Sequence, residues 1–147
     1  MRFQGKHAVV TGGASGIGRA TALRLAEEGA EVLIGDVNVA DGEELAATSN
    51  GRIRFQRTDV TQAAEIEALM LAADAAGGLD VVFNNAGAGG ARARIDEISP
   101  EEWDSTMALL LRSVALGIRY AAPLMTKRGG GAIVNTSSVS AFGSGMA

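Results

Sequence analysis

The 147-residue sequence predicts a doubly wound α/β fold, a parallel sheet with helices on both faces, and three observations carry that expectation. Short continuous apolar runs alternate with longer amphipathic segments. A glycine-rich loop separates the first apolar run from the first amphipathic segment. An acidic residue then closes the second apolar run.

The elements follow in order. His7-Ala8-Val9-Val10 reads as a strand buried on both faces, the pattern of parallel strands covered by helices on either side. Gly16–Glu28 reads as a helix, with Ile17, Ala20, Leu23 and Ala26 at three-residue steps and Gly29 as its stop. Glu31-Val32-Leu33-Ile34 is the second fully buried strand. Val39–Ala47 follows Asn38, a good N-cap, and forms the second helix. Arg52-Ile53-Arg54-Phe55-Gln56 alternates, which places it at an edge with one wetter face. Gln62–Ala76, after Thr61, is the third helix, and Leu79–Phe83 is a fourth strand, buried on both faces. The longest helix runs from Pro100 to about Met125. Ser99, Pro100 and Glu102 form a capping box with a proline start, and Pro123 should kink or end the helix. Ala132-Ile133-Val134 completes the set as a fifth strand, also expected to be buried on both faces. The alternation βαβαβαβαβ implies right-handed crossovers in one domain over residues 1–147.

Composition removes several functions. No cysteine is present, so a disulfide scaffold, a Cys-ligated zinc site and a thiol nucleophile are all excluded. A lone histidine, His7, rules out a His-ligand cluster, and a Ser-His-Asp triad unless His7 is its base. Thirteen basic and 17 acidic residues give a formal charge of −4, which argues against a nucleic-acid-binding face. The apolar stretch before Gly12 is too short for a signal peptide, and no apolar run approaches the ~18 residues of a membrane span. A cytoplasmic protein with neither nucleic-acid nor membrane partners is expected. One number stands out: 20 glycines in 147 residues is about twice the usual ~7%.

Part of that surplus lies in Thr11-Gly12-Gly13-Ala14-Ser15-Gly16-Ile17-Gly18, between the first strand and first helix. Glycine there permits a tight turn, lets the backbone approach a pyrophosphate, and lets helix pack on strand. The helix N-terminus adds free N–H groups and partial positive charge. A glycine turn without ligand would share this pattern. What strengthens the ligand reading is Asp36, 18 positions after Gly18 at the end of the second strand, near the ~20 expected of a carboxylate that holds the adenosine ribose hydroxyls. That carboxylate would repel a 2′-phosphate, and Ser15 is not basic. A Rossmann-like fold binding NAD, rather than NADP, is the expectation.

The spacing Thr11-Gly-x-x-x-Gly-Ile-Gly18 resembles the short-chain dehydrogenase/reductase family. Asp59-Val60 after the third strand, Asn84-Asn85-Ala86-Gly87 after the fourth, Trp103-Asp104 near the start of the long helix, and Ile133-Val134-Asn135-Thr136-Ser137-Ser138 along and after the fifth match it in order. The resemblance implies that Gly12, Ser15, Gly16, Ile17, Gly18, Asp36, Asp59, Val60, Asn85, Ala86 and Gly87 contact the cofactor. It also implies that Ser138 is the catalytic serine, holding the oxygen of a small alcohol or ketone substrate. The residues alone do not separate Ser138 from Ser137, Ser140 or Ser144; a hydroxyl at the carboxyl end of a parallel strand faces the crevice in any case. Homo-oligomerisation, as a dimer or tetramer, is implied by the same resemblance.

Two departures stand beside it. The family's acid/base is a tyrosine acidified by a lysine four residues later, about a dozen residues beyond the serine. Only nine residues follow Ser138, and none is Tyr or Lys. Tyr120 precedes the serine strand and has Leu124 four residues on, so it is expected to pack. The chain therefore reads as an N-terminal portion with about five strands, the C-terminal strands missing, and as inactive by itself. The alternative reading is a non-catalytic NAD-binding module. The second departure is Leu110, which stands seven residues after Trp103, where many members carry an asparagine that supports a proton-relay water. In the loop after Gly87, Arg92 and Arg94 read as solvated, with recognition of an acidic substrate as the alternative.

Overall fold

The computed structural model describes residues 1–139. Five parallel strands, β1 (His7–Thr11), β2 (Glu31–Asp36), β3 (Ile53–Arg57), β4 (Val81–Asn84) and β5 (Ala132–Asn135), form one sheet in the order β3-β2-β1-β4-β5. The helices are α1 (Gly16–Glu27), α2 (Val39–Thr48), α3 (Ala63–Ala75), α4 (Pro100–Met107) and α5 (Ser113–Lys127), with a π-helical segment over Ala108–Arg112 joining the last two.

The period of two along each strand sorts side chains into two cores. Ala8 and Val10 of β1, with Val32 and Ile34 of β2, pack beneath α1 and α2 with Ala22, Leu25 and Leu45. Val9, Leu33 and Val82 point the other way, against Ile66, Leu69 and Met70 of α3 and Ala121, Leu124 and Met125 of α5. Both faces of the sheet are thus covered, as the sequence predicts.

Local signals act where expected. The Asn38 side chain accepts the Asp41 amide at 3.2 Å, and the capping box at Ser99 and Glu102 closes in both directions at 3.2 and 3.0 Å. Gly29, at φ +99°, ends α1. Four expectations are corrected. The buried stripe of α1 is Gly18, Ala22 and Leu25, while Ile17 and Leu23 are exposed, because the contact of Gly18 with the loop below sets the rotation of the helix. Pro123 does not end α5, which runs on to Lys127: the proline is on the exposed side, and buried Leu124 and Met125 anchor the next turn. Between α4 and α5 the helix widens into the π segment, where the Ser113 hydroxyl donates to the Leu109 carbonyl. Finally β5 is mostly exposed rather than buried, because it pairs only with β4 among the described residues. By length and mean hydropathy alone Pro100–Lys127 is apolar enough to cross a membrane, contrary to the expectation from continuous apolar runs; here Ser113, Gly117, Ala121, Leu124 and Met125 bury one stripe of it in the domain, with α5 packed on α3 and β4. Tyr120 packs against the core beneath α5.

Candidate functional site

Strand order reverses between β1 and β4, since β2 lies on one side of β1 and β4 on the other. Loops leaving the two strands diverge there and open a crevice at the carboxyl edge of the sheet. A cleft of about 590 Å³ occupies it. Its walls come from four loops: Gly12, Ser15, Gly16 and Ile17 after β1; Asp36 and Val37 after β2; Thr58, Asp59 and Val60 after β3; Asn85, Ala86, Gly87 and Ala88 after β4. Leu109 and Leu110 of the π segment and Thr136 after β5 close it.

The glycine loop is held by close contacts that a side chain would prevent. A methyl group on Gly18 would sit 2.1 Å from the Gly12 carbonyl oxygen, and one on Gly12 2.8 Å from the Ala86 Cα. The Gly12 amide donates to the Gly35 carbonyl at 2.8 Å. Ser15 occupies the N-cap position of α1 without a side-chain cap bond. Ile17, Val37 and Leu110 line the cleft while 68%, 60% and 42% exposed. Apolar groups left open inside a concave site are the surfaces that a bound ligand covers.

Asp36 terminates β2 at the cleft wall. One carboxylate oxygen accepts the Ala14 amide of the glycine loop, the other the Asn38 amide, each at 3.0 Å. It therefore fixes the loop from below. Asp59 is held by Thr61, whose hydroxyl and amide donate to Oδ1 at 2.7 and 2.9 Å. The Thr61 hydroxyl bond, then its amide bond, with Arg57 nearby, hold the Asp59 carboxyl below the usual carboxylate range despite partial burial. Val60 is buried in the α3–α5 core and its neighbours face the cleft.

Asn85 braces the opposite wall. Its side-chain nitrogen donates to the Thr11 and Gly12 carbonyls at 3.1 and 3.3 Å, and its side-chain oxygen accepts the Thr136 hydroxyl at 3.3 Å. Asn84 reaches sideways to Asn135 at 2.8 Å and ties β4 to β5. Leu110 approaches Gly87, where a methyl group would meet its Cδ2 at 3.3 Å.

Of the residues singled out in the sequence, Gly12, Ser15, Gly16, Ile17, Asp36, Asp59, Val60, Asn85, Ala86 and Gly87 converge on this one cleft, with Gly18 directly beneath. Ser138 is exposed, two residues beyond the cleft residue Thr136. Ser140 and Ser144 lie outside the described residues. Arg92 and Arg94 are exposed, and Arg94 pairs with Asp96 at 3.1 Å. Sequence reasoning passed over Thr11, which is buried and accepts the Asn85 and Ala86 amides on its hydroxyl at 3.0 and 3.1 Å. Its place just before the first glycine was the available signal. Among the described residues, no group of three or more acidic or histidine side chains could hold a metal ion.

The short chain dehydrogenase profile matches residues 6–146. The chain belongs to the short chain dehydrogenase family. Within that family it is 42% identical over 145 residues to the 2,5-dichloro-2,5-cyclohexadiene-1,4-diol dehydrogenase LinX of Sphingobium indicum, an alignment covering 94% of this chain and 56% of that protein. An uncharacterized oxidoreductase of Thermotoga maritima is 40% identical, with 94% and 55% covered. Among solved structures, levodione reductase superposes with a TM-score of 0.91 at 34% identity, covering 97% of this chain and 58% of the other. A family member from Burkholderia phymatum, solved in complex with NAD, gives 0.92 at 35% identity, covering 99% and 53%. The chain thus spans about half the length of the relatives it matches.

Proposed function

We propose that the whole protein, to which this chain contributes the dinucleotide-binding part, is an NAD(H)-dependent oxidoreductase that moves a hydride between nicotinamide and a secondary alcohol or ketone. The observation that carries this reading is Asp36: a carboxylate at the cleft wall, anchored to the glycine loop by Ala14, where an adenosine ribose would lie. Its two oxygens accept ribose hydroxyls well, and its charge disfavours a 2′-phosphate, so NAD is preferred to NADP.

The residues present fit such a ligand. The bare backbone at Gly12, Gly16 and Gly18 and the N-terminus of α1 suit a pyrophosphate, with Ser15 and Ile17 beside it. Asp59 and Val60 would flank the adenine, and Asn85, Ala86 and Gly87 the far half of the dinucleotide. When bound, the nicotinamide ring supplies the hydride-accepting or hydride-donating carbon. Ser138 would hold the substrate oxygen and stabilise the charge that develops on it. Leu109 and Leu110 make that end of the cleft apolar and would keep water from it once a ligand covers them.

Relatives support the substrate class. A cyclohexadiene-1,4-diol, named for the LinX relative, carries secondary ring hydroxyls, and the structural neighbour is a reductase. A cyclic secondary alcohol or ketone is the proposed substrate. Cytoplasmic residence and homo-oligomer assembly belong to the same proposal; the exposed Leu111 and Ile118 of the long helix are the surface it would use. In the test, NADH is titrated into the purified 147-residue chain, and the whole protein is mixed with NAD and a panel of ring alcohols while formation of reduced nicotinamide is followed. Failure of the protein to bind NADH at all would sink the proposal.

A further inference from the structure

We infer that Glu65 is a positioning residue for the dinucleotide, holding the adenine-side wall of the cleft in place before ligand arrives. The inference rests on the dinucleotide reading above and deepens it. That wall is the turn Thr58–Thr61, which follows β3 and supplies Thr58, Asp59 and Val60 to the cleft. Beyond Arg57 the strand ladder ends, so the Asp59 amide has no sheet partner. Glu65 supplies one: its Oε2 accepts the Asp59 amide at 2.7 Å and the Arg57 guanidinium at 2.7 Å.

The source of that oxygen is informative. Glu65 is the third residue of α3, where a glutamate ordinarily folds back onto the N-cap of its own helix. Here the N-cap, Gln62, makes no side-chain cap bond, and the glutamate reaches three residues further back, to the cleft turn. Two other polar groups of the turn are held as well. The Asp59 carboxylate accepts from Thr61, and Arg112 of the π segment donates to the Thr61 carbonyl at 3.0 Å. The Glu65 and Arg57 side chains are 33% and 53% exposed, a setting in which an ion pair contributes little to global stability. Fixing the turn is where its effect falls.

Glu65→Ala and Glu65→Gln test this in the full chain, with NADH, AMP and nicotinamide mononucleotide titrated separately by calorimetry. The alanine variant is expected to lose about tenfold in affinity for both AMP and NADH, the effect of one charge-assisted hydrogen bond that pre-organises a binding surface. Affinity for nicotinamide mononucleotide should stay within about twofold of wild type, because Glu65 touches only the adenine side. Glutamine keeps an acceptor for the Asp59 amide and should restore AMP binding to within about threefold. Unchanged AMP affinity in Glu65→Ala, with NADH bound normally by wild type, overturns the inference alone. Equal losses for AMP and nicotinamide mononucleotide also overturn it, since that marks general loosening. A wild-type protein that binds neither NADH nor AMP overturns the dinucleotide reading and this inference with it.

Discussion

Gly18→Ala sets two physical effects against each other at the first turn of α1. Gly18 is buried within the helix, where alanine is intrinsically preferred over glycine by about 1 kcal/mol, so propensity alone predicts stabilisation. Sterics predict the reverse. The added methyl group would lie 2.1 Å from the Gly12 carbonyl oxygen and 2.7 Å from the Asn85 side-chain nitrogen. An ordinary carbon–oxygen approach is about 3.3 Å, so α1 and the loop must separate by about 1 Å. Neither neighbour is a flexible tip: one is backbone, and the other is itself bonded to two carbonyls. Overpacking of this kind costs up to about 3 kcal/mol, and subtracting the propensity gain leaves a net loss of about 2 kcal/mol. A domain of this size should then melt about 4–8 °C lower. Separation also withdraws the helix N-terminus from the phosphates, and NADH affinity should fall by more than about tenfold. Gly16→Ala is the control for stability alone, since Gly16 itself lines the cleft and its NADH affinity is expected to fall as well. Position 16 has open space around it and a φ of +51°, so only backbone strain of about 1 kcal/mol is expected. Urea denaturation and NADH titration of both variants decide the matter. A Gly18→Ala protein as stable as wild type, with unchanged NADH affinity, would refute the close-approach reasoning.

Asn85→Ala should lower stability by about 1–3 kcal/mol, since the Thr11 and Gly12 carbonyls lose their side-chain donor, and a shift of the urea midpoint at constant slope measures it. For Asp80, burial acts to raise the carboxyl pKa, but the bonds from the His7 amide and Lys6 ammonium outweigh it, and its pKa sits below the ordinary value. The stabilisation this gives is present above the unfolded pKa of about 4 and is lost as pH falls through the lower folded value. Asp80→Asn should therefore be less stable than wild type at neutral pH and show a shallower loss below about pH 4, whereas parallel pH profiles would contradict the assignment. Gly117→Ala would place a methyl group 2.1 Å from the Asn84 side-chain oxygen and should weaken the tie from β4 to β5, read as faster amide exchange in β5.

What was legible in the sequence was what local chemistry dictates. The glycine loop and the caps at Asn38 and Ser99 each depend on residues within a few positions of one another, and Asp36 was marked by its spacing from the glycine loop at the end of a strand. Two-faced burial of β1 and β2 followed from their continuous apolar runs, and the edge position of β3 from its alternation. β5 reads as buried from its Ala-Ile-Val run, and its exposure here follows from β4 being its one strand neighbour among the described residues. The π segment carries no sequence punctuation, and Pro123 is tolerated because the buried residues after it hold the helix together. Thr11 and Glu65 were missed for a different reason. Their partners lie 74 and 75 residues away for Thr11, and for Glu65 in a turn that the sequence marks only as a strand end.

The central claim is that Asp36 makes this cleft an NAD site. Parallel titrations of the wild-type protein and Asp36→Ala with NADH and NADPH test it most directly. The account predicts that wild type binds NADH more tightly than NADPH, and that Asp36→Ala weakens NADH and narrows or reverses the preference. Tighter binding of NADPH by the wild-type protein would contradict it.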